Sequence, residues 1–486
     1  MAITAPPAAS SVIETGGIEA IPSNRRHGSP WQLLSTWSAP NLEFATVFVG
    51  VLAVGIFGLS IGWAIVALVL GTAFGALTQG ILSTWGPREG LAQLVLSRTA
   101  FGRAGNILPA GINALVAGLG WFAVNSVSGA FALSTLVPAL PVVVSLLIVV
   151  IVEVAVAFVG HNLVQQFERY SSIILGIIFV VAAIVIFSHT NWGTTTIAAA
   201  FPGGKPVSLG FSFGGFTLAT GAAFGYAAGW NPYASDYSRY LPKATSRLKI
   251  ALAAGLGNFI SCTVLEIAGA ASALIFFKEA DPTGSFVHSL GSVVADFTLV
   301  AICVGAIAAN ALNVYSGAMS FLAAGIRIPL TLRRAIVAAI FGVIGFFIAW
   351  SAIPDAGTKY TGFLLIIAYW IAPWLGVVFV DRFLRRGTAI SSIVPWGAKY
   401  ANPAGIISFV VAVVVSIWLF ANQYGYYVGV VPTANENVGD LTALVGFVIA
   451  AVLYFILFKA FKPALGGPLA SEPDVIVGVD SADSVA

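Results

Sequence analysis

Residues 213–232 read FGGFTLATGAAFGYAAGWNP, an apolar run interrupted by glycines and closed by a proline. Residues 41–58 have the same character and read NLEFATVFVGVLAVGIFG. Glycine lowers the cost of leaving helical geometry, so each run predicts a membrane-spanning helix that is broken near its middle. Interrupted helices at corresponding positions of two halves of a chain indicate a transporter whose binding site lies at the breaks. The alternative is that the glycines only allow close helix packing.

The composition requires a membrane protein. Of the 486 residues, 58% are apolar and 8% are charged, whereas soluble domains carry about 25% charged residues. The net charge is only +3 and no basic patch exists, which excludes nucleic-acid binding and intrinsic disorder. Lipid forces the backbone into helices or a closed barrel, and long continuous apolar runs favour helices. The predicted fold class is therefore all-α integral membrane.

Hydropathy predicts twelve spans, numbered 1 to 12 in chain order. Their ranges are 41–61, 63–83, 107–136, 142–160, 171–188, 212–231, 248–277, 291–322, 335–352, 361–381, 404–423 and 440–461. With the N-terminus inside, all of the 22 Lys and Arg residues except Lys205, Lys278 and Lys359 lie on the inner side. This bias predicts a multi-pass protein of the cell membrane with both termini in the cytoplasm.

The spans predict three parts of the chain. Residues 1–37 are expected to be a cytoplasmic tail, residues 38–388 a transport core of spans 1–10, and residues 389–486 spans 11 and 12 with a second tail. A membrane receptor or scaffold is the alternative from another class, but it would need a docking domain, for which both tails are short. A channel is disfavoured because broken helices suit stoichiometric coupling better. The sequence has no HExxH, GxSxG or phosphate-loop motif, so we do not expect an enzyme.

Carboxyl groups inside apolar spans are candidates for function, because an unpaired charge there is costly. They belong to Glu43, Glu153, Glu266 and Asp296. Glu266 and Glu153 are candidates for carrying a coupled proton, and hydrogen-bonded acids between packed helices are the alternative. Three residues separate Asp236 from Arg239 after span 6, which predicts a local salt bridge or a gate pair.

Uncharged polar and aromatic residues indicate the type of solute. Trp121 and Asn125 share one face of span 3, and span 8 contains Asn310 and Asn313. An Asn side chain presents an acceptor beside a donor, which complements the N–H/C=O edge of a heterocycle, and aromatic side chains such as Tyr226 offer stacking faces. Together they predict a planar, uncharged, hydrogen-bonding solute, although any single Asn could instead bond a neighbouring helix.

Three longer motifs carry a resemblance to a known family. They read TWGPREGL at 84–91, VLSRTAFG at 95–102 and GWNPYASDYSRYLP at 229–242. The sequence resembles the nucleobase:cation symporter-1 family, and is most similar to its purine–cytosine permease branch. The resemblance implies a leucine-transporter-like fold, with two inverted five-helix repeats and two peripheral helices.

The resemblance also implies import of a nucleobase, cytosine or a purine, by cation symport. Members of the same family carry allantoin, hydantoins or vitamin-like heterocycles, and these stay open as alternatives. The positions that would contact the substrate are Trp121, Asn125, Phe224, Gly225, Tyr226 and Asn310, with Val49 and Gly50 as the contact of span 1. The partners expected are a small heterocycle and the lipid bilayer, without nucleic acid.

The coupling ion is predicted from span 8. In sodium-coupled relatives, carbonyl groups of span 1 and two hydroxyl side chains of span 8 bind the ion, shortly before the substrate-binding Asn. Counted back from Asn310, the matching positions are Val304 and Gly305, which offer no side-chain oxygen. We therefore expect H⁺ rather than Na⁺ as the coupling cation, and no resident metal or other cofactor.

Overall fold

The structure is a computed structural model that describes residues 17–159, 161–199, 204–278, 282–326, 330–395, 397–423 and 425–468. A helix lies at each of the twelve predicted spans, and we label these helices α1 to α12. Ten are continuous or nearly so: α2 Ile61–Ser83, α3 from Ile107 to Leu136, α4 Val142–Val159, α5 His161–His189, α7 Arg247–Ile275, α8 Ser292–Ala323, α9 Leu330–Ala352, α10 Ala356–Leu384, α11 Pro403–Phe420 and α12 Thr442–Phe461. Helix α3 contains a π-helical stretch over Asn113–Leu119.

The length and composition of these helices fit a membrane protein. Among the described residues, seven helical stretches could each cross a membrane, and the bent pair of α1 would be an eighth. The all-α membrane class is thus confirmed, whereas the number of twelve crossings stays a prediction.

Helix α1 is broken, but not at its glycines. Its first part, α1a, is Gln32–Ser38 followed by a 3-10 turn over Ala39–Asn41, and its second part, α1b, is Phe44–Val51 followed by a π-helical turn to Ile56. The two parts are bent by 63° at Leu42–Glu43. The extended backbone of Glu43, with φ −154° and ψ 174°, separates them. Helix α1a therefore occupies part of the segment that was predicted to be a tail.

Helix α6 is broken near its end. Its first part, α6a, is Phe213–Ala228, and after Gly229 and Trp230 the chain forms a 3-10 turn over Asn231–Tyr233 and the short helix α6b, Ala234–Ser238. Proline lacks the N–H that a helix interior needs, but it is tolerated in the first turn of a helix. Pro232 therefore cannot continue α6a, and it lies in the first turn of the next segment. The break in span 6 thus lies at Gly229 and Trp230, near the end of the span rather than near its middle.

Packing places the two broken helices at the centre. Helix α1b packs against α7, α6a against α2 and α10, and α3 against α8, while α12 joins α10 to α11 at one edge. Short helices connect these elements at Trp85–Glu89, Gln93–Leu96, Arg98–Gly105, Pro282–Val287 and Val430–Ala434. Three antiparallel pairs of two-residue strands lie in loops: Thr196–Ile197 with Val207–Ser208, Thr388–Ala389 with Gly467–Pro468, and Asn422–Gln423 with Tyr427–Val428.

Candidate substrate site between the broken helices

The breaks in α1 and α6 are held together by a hydrogen bond. The indole Nε1 of Trp230 donates to Oδ1 of Asn41 over 2.8 Å, and Nδ2 of Asn41 donates to the carbonyl oxygen of Trp37 over 2.7 Å. The rings of Trp37 and Trp230 also contact each other, with centroids 6.0 Å apart. The two interruptions therefore form one structural unit, in which unwound backbone from both helices is available.

Glu43 lies at the break of α1 and is fully buried. The hydroxyl group of Tyr226 donates to its Oε1 over 3.4 Å and lies 2.5 Å from Oγ1 of Thr46. On the α8 side, a Cβ added to Gly305 would be 2.7 Å from Cβ of Glu43. The other carboxyl oxygen, Oε2, has no hydrogen-bond partner among the described residues. A buried acceptor without a partner requires an explanation, and a ligand group or a proton would supply one.

Trp121 of α3 provides an aromatic wall beside the break of α6. Its ring meets Tyr226 edge-on at 5.3 Å and Phe363 of α10 edge-on at 4.9 Å. A Cβ added to Gly229 would lie 3.1 Å from the indole, so the glycine lets the unwound backbone approach the ring. Three aromatic side chains from three helices thus surround one point next to the break.

Asn310 of α8 is the centre of an amide cluster. Its Oδ1 accepts from Nδ2 of Asn125 over 3.0 Å and from Nδ2 of Asn313 over 3.3 Å. Its Nδ2 donates to the carbonyl oxygen of Phe122 over 3.0 Å and to Oγ of Ser126 over 3.3 Å. These four bonds use the full hydrogen-bonding capacity of an Asn side chain. Oδ1 of Asn313 is buried and has no partner among the described residues, so the cluster still offers an acceptor.

A cavity of about 210 Å³ opens next to this aromatic wall. Its lining comes from α1b, α3, α9, α10 and the connections around them, and it includes Phe44, Phe48, Gly120, Val124, Tyr360 and Phe363. Phe363 belongs both to the cavity and to the wall around Trp121. The cavity is therefore a mainly apolar approach to the site from the face that was predicted to be outside.

The comparison with known families agrees with this architecture. The family described as permeases for cytosine/purines, uracil, thiamine and allantoin matches residues 20–446 of the chain. The chain belongs to this permease family. The resemblance seen in the motifs is thus confirmed, and a permease is a transporter rather than an enzyme.

Two curated relatives match the permease over nearly its whole length. The purine-cytosine permease fcyB of Emericella nidulans is 28% identical, covering 92% of this chain and 88% of its own. The purine-cytosine permease FCY2 of Saccharomyces cerevisiae is 27% identical, covering 93% of this chain and 86% of its own.

Solved structures show the fold. Mhp1, a nucleobase-cation-symport-1 family transporter in a closed conformation with bromovinylhydantoin bound, aligns with a TM-score of 0.71 at 16% identity, over 94% of this chain and 97% of Mhp1. A Na⁺-coupled sialic acid symporter in a substrate-bound, outward-open state aligns with a TM-score of 0.60 at 11% identity, over 91% of this chain and 92% of its own. The predicted leucine-transporter-like fold is thus confirmed.

Some residues predicted to contact the substrate lie elsewhere in the permease. A Cβ added to Gly50 would be 1.7 Å from the carbonyl oxygen of Glu266, so Gly50 is packed against α7, and its neighbour Val49 is buried. A Cβ added to Gly225 would be 2.3 Å from the carbonyl oxygen of Leu364, so Gly225 is packed against α10. The sequence assigned these glycines to unwound backbone, whereas the structure uses them for close contact between intact helices.

Phe224 also lies away from Trp121. It lines a second, apolar groove between α2, α6a, α10 and α12, together with Leu70, Phe74, Phe213, Leu375 and Phe447. The register of α6a places the next residue but one, Tyr226, toward α1b instead. Of the α6 candidates, the structure therefore brings only Tyr226 to the breaks.

The two predicted proton carriers have different surroundings. Oε2 of Glu153 accepts from Oγ of Ser126 over 2.6 Å, which connects α4 to the amide cluster around Asn310. Oε2 of Glu266 accepts from Oγ1 of Thr72 over 2.6 Å, which connects α7 to α2. Both carboxyl groups are fully buried. Glu153 is thus linked to the site, whereas Glu266 lies in a contact between helices.

Asp236 and Arg239 each bond a different segment. Oδ1 of Asp236 accepts from the backbone N–H of Gln93 over 2.9 Å. Nη2 of Arg239 donates to the carbonyl oxygen of Gly17 over 3.0 Å, and Nη1 donates to that of Glu19 over 3.4 Å. These bonds tie α6b to the loop after α2 and to the segment before α1, and the salt bridge or gate pair between Asp236 and Arg239 stays a prediction.

The sequence also left important residues out of the site. Glu43 was recognised only as a carboxyl in a span, Trp230 was not placed at the break, and Phe363 was not considered. One signal was available: residues 39–43 read APNLE, and a proline with two polar residues at the start of an apolar run marks a helix interruption.

Proposed function

We propose that this permease imports a nucleobase, cytosine or a purine, by cation symport with H⁺ as the coupling ion. The observation that carries the proposal is the aromatic wall of Trp121 and Tyr226 beside the break of α6, with the amide cluster of Asn125 and Asn310 one turn further along α3. A nucleobase matches both features, because its flat face stacks on aromatic rings and its edge carries N–H donors.

The polar groups favour a substrate that donates hydrogen bonds. Oδ1 of Asn313 is a buried acceptor without a partner among the described residues, and leaving it unpaired in a closed site costs about 1–3 kcal/mol. The amino and ring N–H groups of cytosine or adenine satisfy such an acceptor. The printed names of the relatives fcyB and FCY2, both purine-cytosine permeases, support the same class of substrate.

Proton coupling is proposed because the α8 segment lacks cation ligands. Val304 and Gly305 have no side-chain oxygen, and a Cβ added to Gly305 would be 2.5 Å from the carbonyl oxygen of Leu42. A hydroxyl side chain at Gly305 would therefore collide with the backbone of α1. Hard cations such as Na⁺ need oxygen ligands in place of the water they lose, and these two positions supply no side-chain oxygen.

Another heterocycle is the second candidate. The family description includes uracil, thiamine and allantoin, and the related structure of Mhp1 holds a bromovinylhydantoin. The largely apolar approach through Phe48 and Phe363 suits a bulkier hydantoin as well as a base.

A thermal-shift screen of the purified permease separates these candidates. Cytosine, adenine, hypoxanthine, uracil, allantoin, thiamine and benzylhydantoin are tested one by one, and a ligand of the folded state raises the apparent stability by RT ln(1 + [L]/Kd). We expect the largest shift with cytosine or a purine, and a loss of that shift in Trp121→Ala. A shift with allantoin, thiamine or the hydantoin alone would assign that compound, and not a nucleobase, as the substrate.

The coupling ion is tested by uptake into cells. We expect uptake to survive replacement of sodium by choline and to collapse when a protonophore is added. Strict dependence on a sodium gradient would contradict proton coupling.

The orientation is part of the same proposal, with both termini in the cytoplasm and the chain in the cell membrane. In a chain without its two native cysteines, Asp355→Cys and Lys243→Cys introduce thiols at exposed positions on opposite predicted sides. An impermeant maleimide added to sealed cells should label the first and spare the second, and the reverse pattern would invert the topology.

A further inference from the structure

We propose that Glu43 carries the coupled proton, so that its protonation and the occupancy of the site change together. The inference rests on the nucleobase symport proposed above and names the residue that performs the coupling. It replaces Glu153 and Glu266, the carriers that the sequence favoured, by a carboxyl group at the break itself.

The position of Glu43 is the first argument. Its backbone is the extended link between α1a and α1b, which meet at 63°. Its side chain is fully buried between Tyr226 of α6a and Gly305 of α8. A change in the angle between the two parts of α1 therefore changes the surroundings of this carboxyl directly.

The charge balance around Glu43 is the second argument. The titratable groups facing it are Tyr226 of α6a, Tyr360 of α10, Cys262 of α7 and, further away, Glu153 of α4. All of these are neutral or acidic, and within the described ranges no ion pair involves Glu43. A buried carboxylate without a cation is strongly unfavourable. The closed site therefore requires a proton on Glu43, whereas a site open to water tolerates its loss.

The contact with α8 is the third argument. Gly305 packs so closely on Leu42 and Glu43 that no side chain fits between the helices. The carboxyl of Glu43 thus provides ionisable oxygen atoms at a contact where Gly305 of α8 offers no side-chain ligand for a metal cation. One carboxyl group takes up one proton, so the proposal implies one proton for each substrate molecule.

The other buried carboxyl groups lie between uninterrupted segments. Glu266 connects α7 to α2 through Thr72, and Glu153 connects α4 to α3 through Ser126. Neither residue belongs to a break. A transport cycle follows: Glu43 takes a proton from the outer solution as the substrate enters, the site closes around both, and the proton leaves Glu43 to water after the inner side opens.

Reconstituted permease tests the proposal. Wild type, Glu43→Gln, Glu266→Gln and the control Asp440→Asn, a buried acid before α12, are compared in proteoliposomes. The first measurement is exchange of radiolabelled cytosine for internal cytosine at equal pH, and the second is accumulation of cytosine driven by an acidic exterior. Glutamine keeps the shape and the hydrogen bond but cannot release a proton.

We expect Glu43→Gln to keep exchange and to lose accumulation, while Glu266→Gln and Asp440→Asn keep both. Accumulation at the wild-type level in Glu43→Gln, or its loss in Glu266→Gln alone, would overturn the proposal. If Glu43→Gln does not exchange cytosine, Glu43→Asp should still accumulate it. If both variants are folded and neither exchanges cytosine, Glu43 is a general requirement for transport, and the proposal is also overturned. A wild type that exchanges no cytosine or purine would instead refute the nucleobase proposal.

Discussion

Asn125 of α3 donates a hydrogen bond to Asn310 of α8, with 3.0 Å between Nδ2 and Oδ1. Since Asn310 also donates to the carbonyl oxygen of Phe122, two bonds join the same pair of helices within one turn of α3. Both residues were predicted to contact the substrate. The structure shows them in contact with each other. A substrate that bonds to Asn310 therefore has to displace one of these hydrogen bonds, or it has to use the hydrogen-bonding groups of Asn125 and Asn313 that remain unused.

Replacement of Asn310 should therefore weaken binding even if the contact is indirect. We expect Asn310→Ala to weaken the binding free energy for the preferred base by about 1–3 kcal/mol and so to raise its Kd, because the partners of Asn310 lose their hydrogen bonds. Isothermal titration of the purified variant measures this. The matched control is Asn402→Ala, a buried Asn that bonds Tyr454 of α12 over 2.8 Å and should lower the melting temperature while leaving the Kd unchanged. An unchanged Kd in Asn310→Ala would move the site away from the amide cluster.

Trp121 should contribute a stacking face. Removal of an aromatic side chain from a stacked base costs about 1–3 kcal/mol, so Trp121→Ala should reduce affinity strongly and Trp121→Phe less. Trp418→Ala on α11 is the control, because that ring is 57% exposed and lies outside the core of α1–α10. Equal affinity in Trp121→Ala and wild type, measured by competition binding, would show that the aromatic wall does not touch the ligand.

Ser126 links Glu153 to Asn310, so its replacement should change the hydrogen bonding of both residues. Ser126→Ala leaves Oε2 of Glu153 without its donor, which should lower stability by about 1–3 kcal/mol and affinity by less than Asn310→Ala does. Ser128→Ala is the matched control on the same helix, since among the described residues its hydroxyl bonds only the carbonyl oxygen of Val124 one turn away. Thermal unfolding of the two variants decides the question, and equal melting temperatures would contradict the link.

Gly50 is needed for packing rather than for a break. A Cβ at this position would overlap the carbonyl oxygen of Glu266, so Gly50→Ala should force α1b and α7 apart and destabilise the permease by about 1–3 kcal/mol or more. Gly62→Ala in α2 adds a methyl group where nothing lies within 4 Å, and it should be neutral or stabilising. The folded yield after size-exclusion chromatography compares them, and similar yields would argue against the close contact.

The sequence predicts the helices of this fold better than their interruptions. Continuous apolar runs are enough to place α2 or α12, because lipid permits few other conformations. Glycine content correctly indicates that α1 and α6 are interrupted. It does not distinguish Gly50 and Gly225, which allow close contact between intact helices, from Gly229, which lies at a break. Only the partner helix decides between them: Glu266 and Leu364 fill the space at the first two, whereas the ring of Trp121 lies beside the third.

In the candidate site, too, the sequence predicts some residues, and the tertiary structure alone reveals others. Trp121 and Tyr226 were predicted from residue type and resemblance, and the structure brings them together with Asn125 and Asn310 near the breaks. The involvement of Glu43 depends on the bend at Leu42–Glu43 and on its distance from Gly305, which are tertiary properties. Spacing along a single helix does not contain that information.

Uptake of radiolabelled base into proteoliposomes tests the central claim most directly. Purified permease is reconstituted with an acidic exterior and supplied with cytosine, adenine or hypoxanthine, with protein-free vesicles and Trp121→Ala as controls. The account predicts saturable uptake of at least one of these bases in wild type, stimulation by the pH gradient, and little uptake in either control. Accumulation of allantoin, thiamine or a hydantoin, without uptake of any nucleobase under the same gradient, would contradict it.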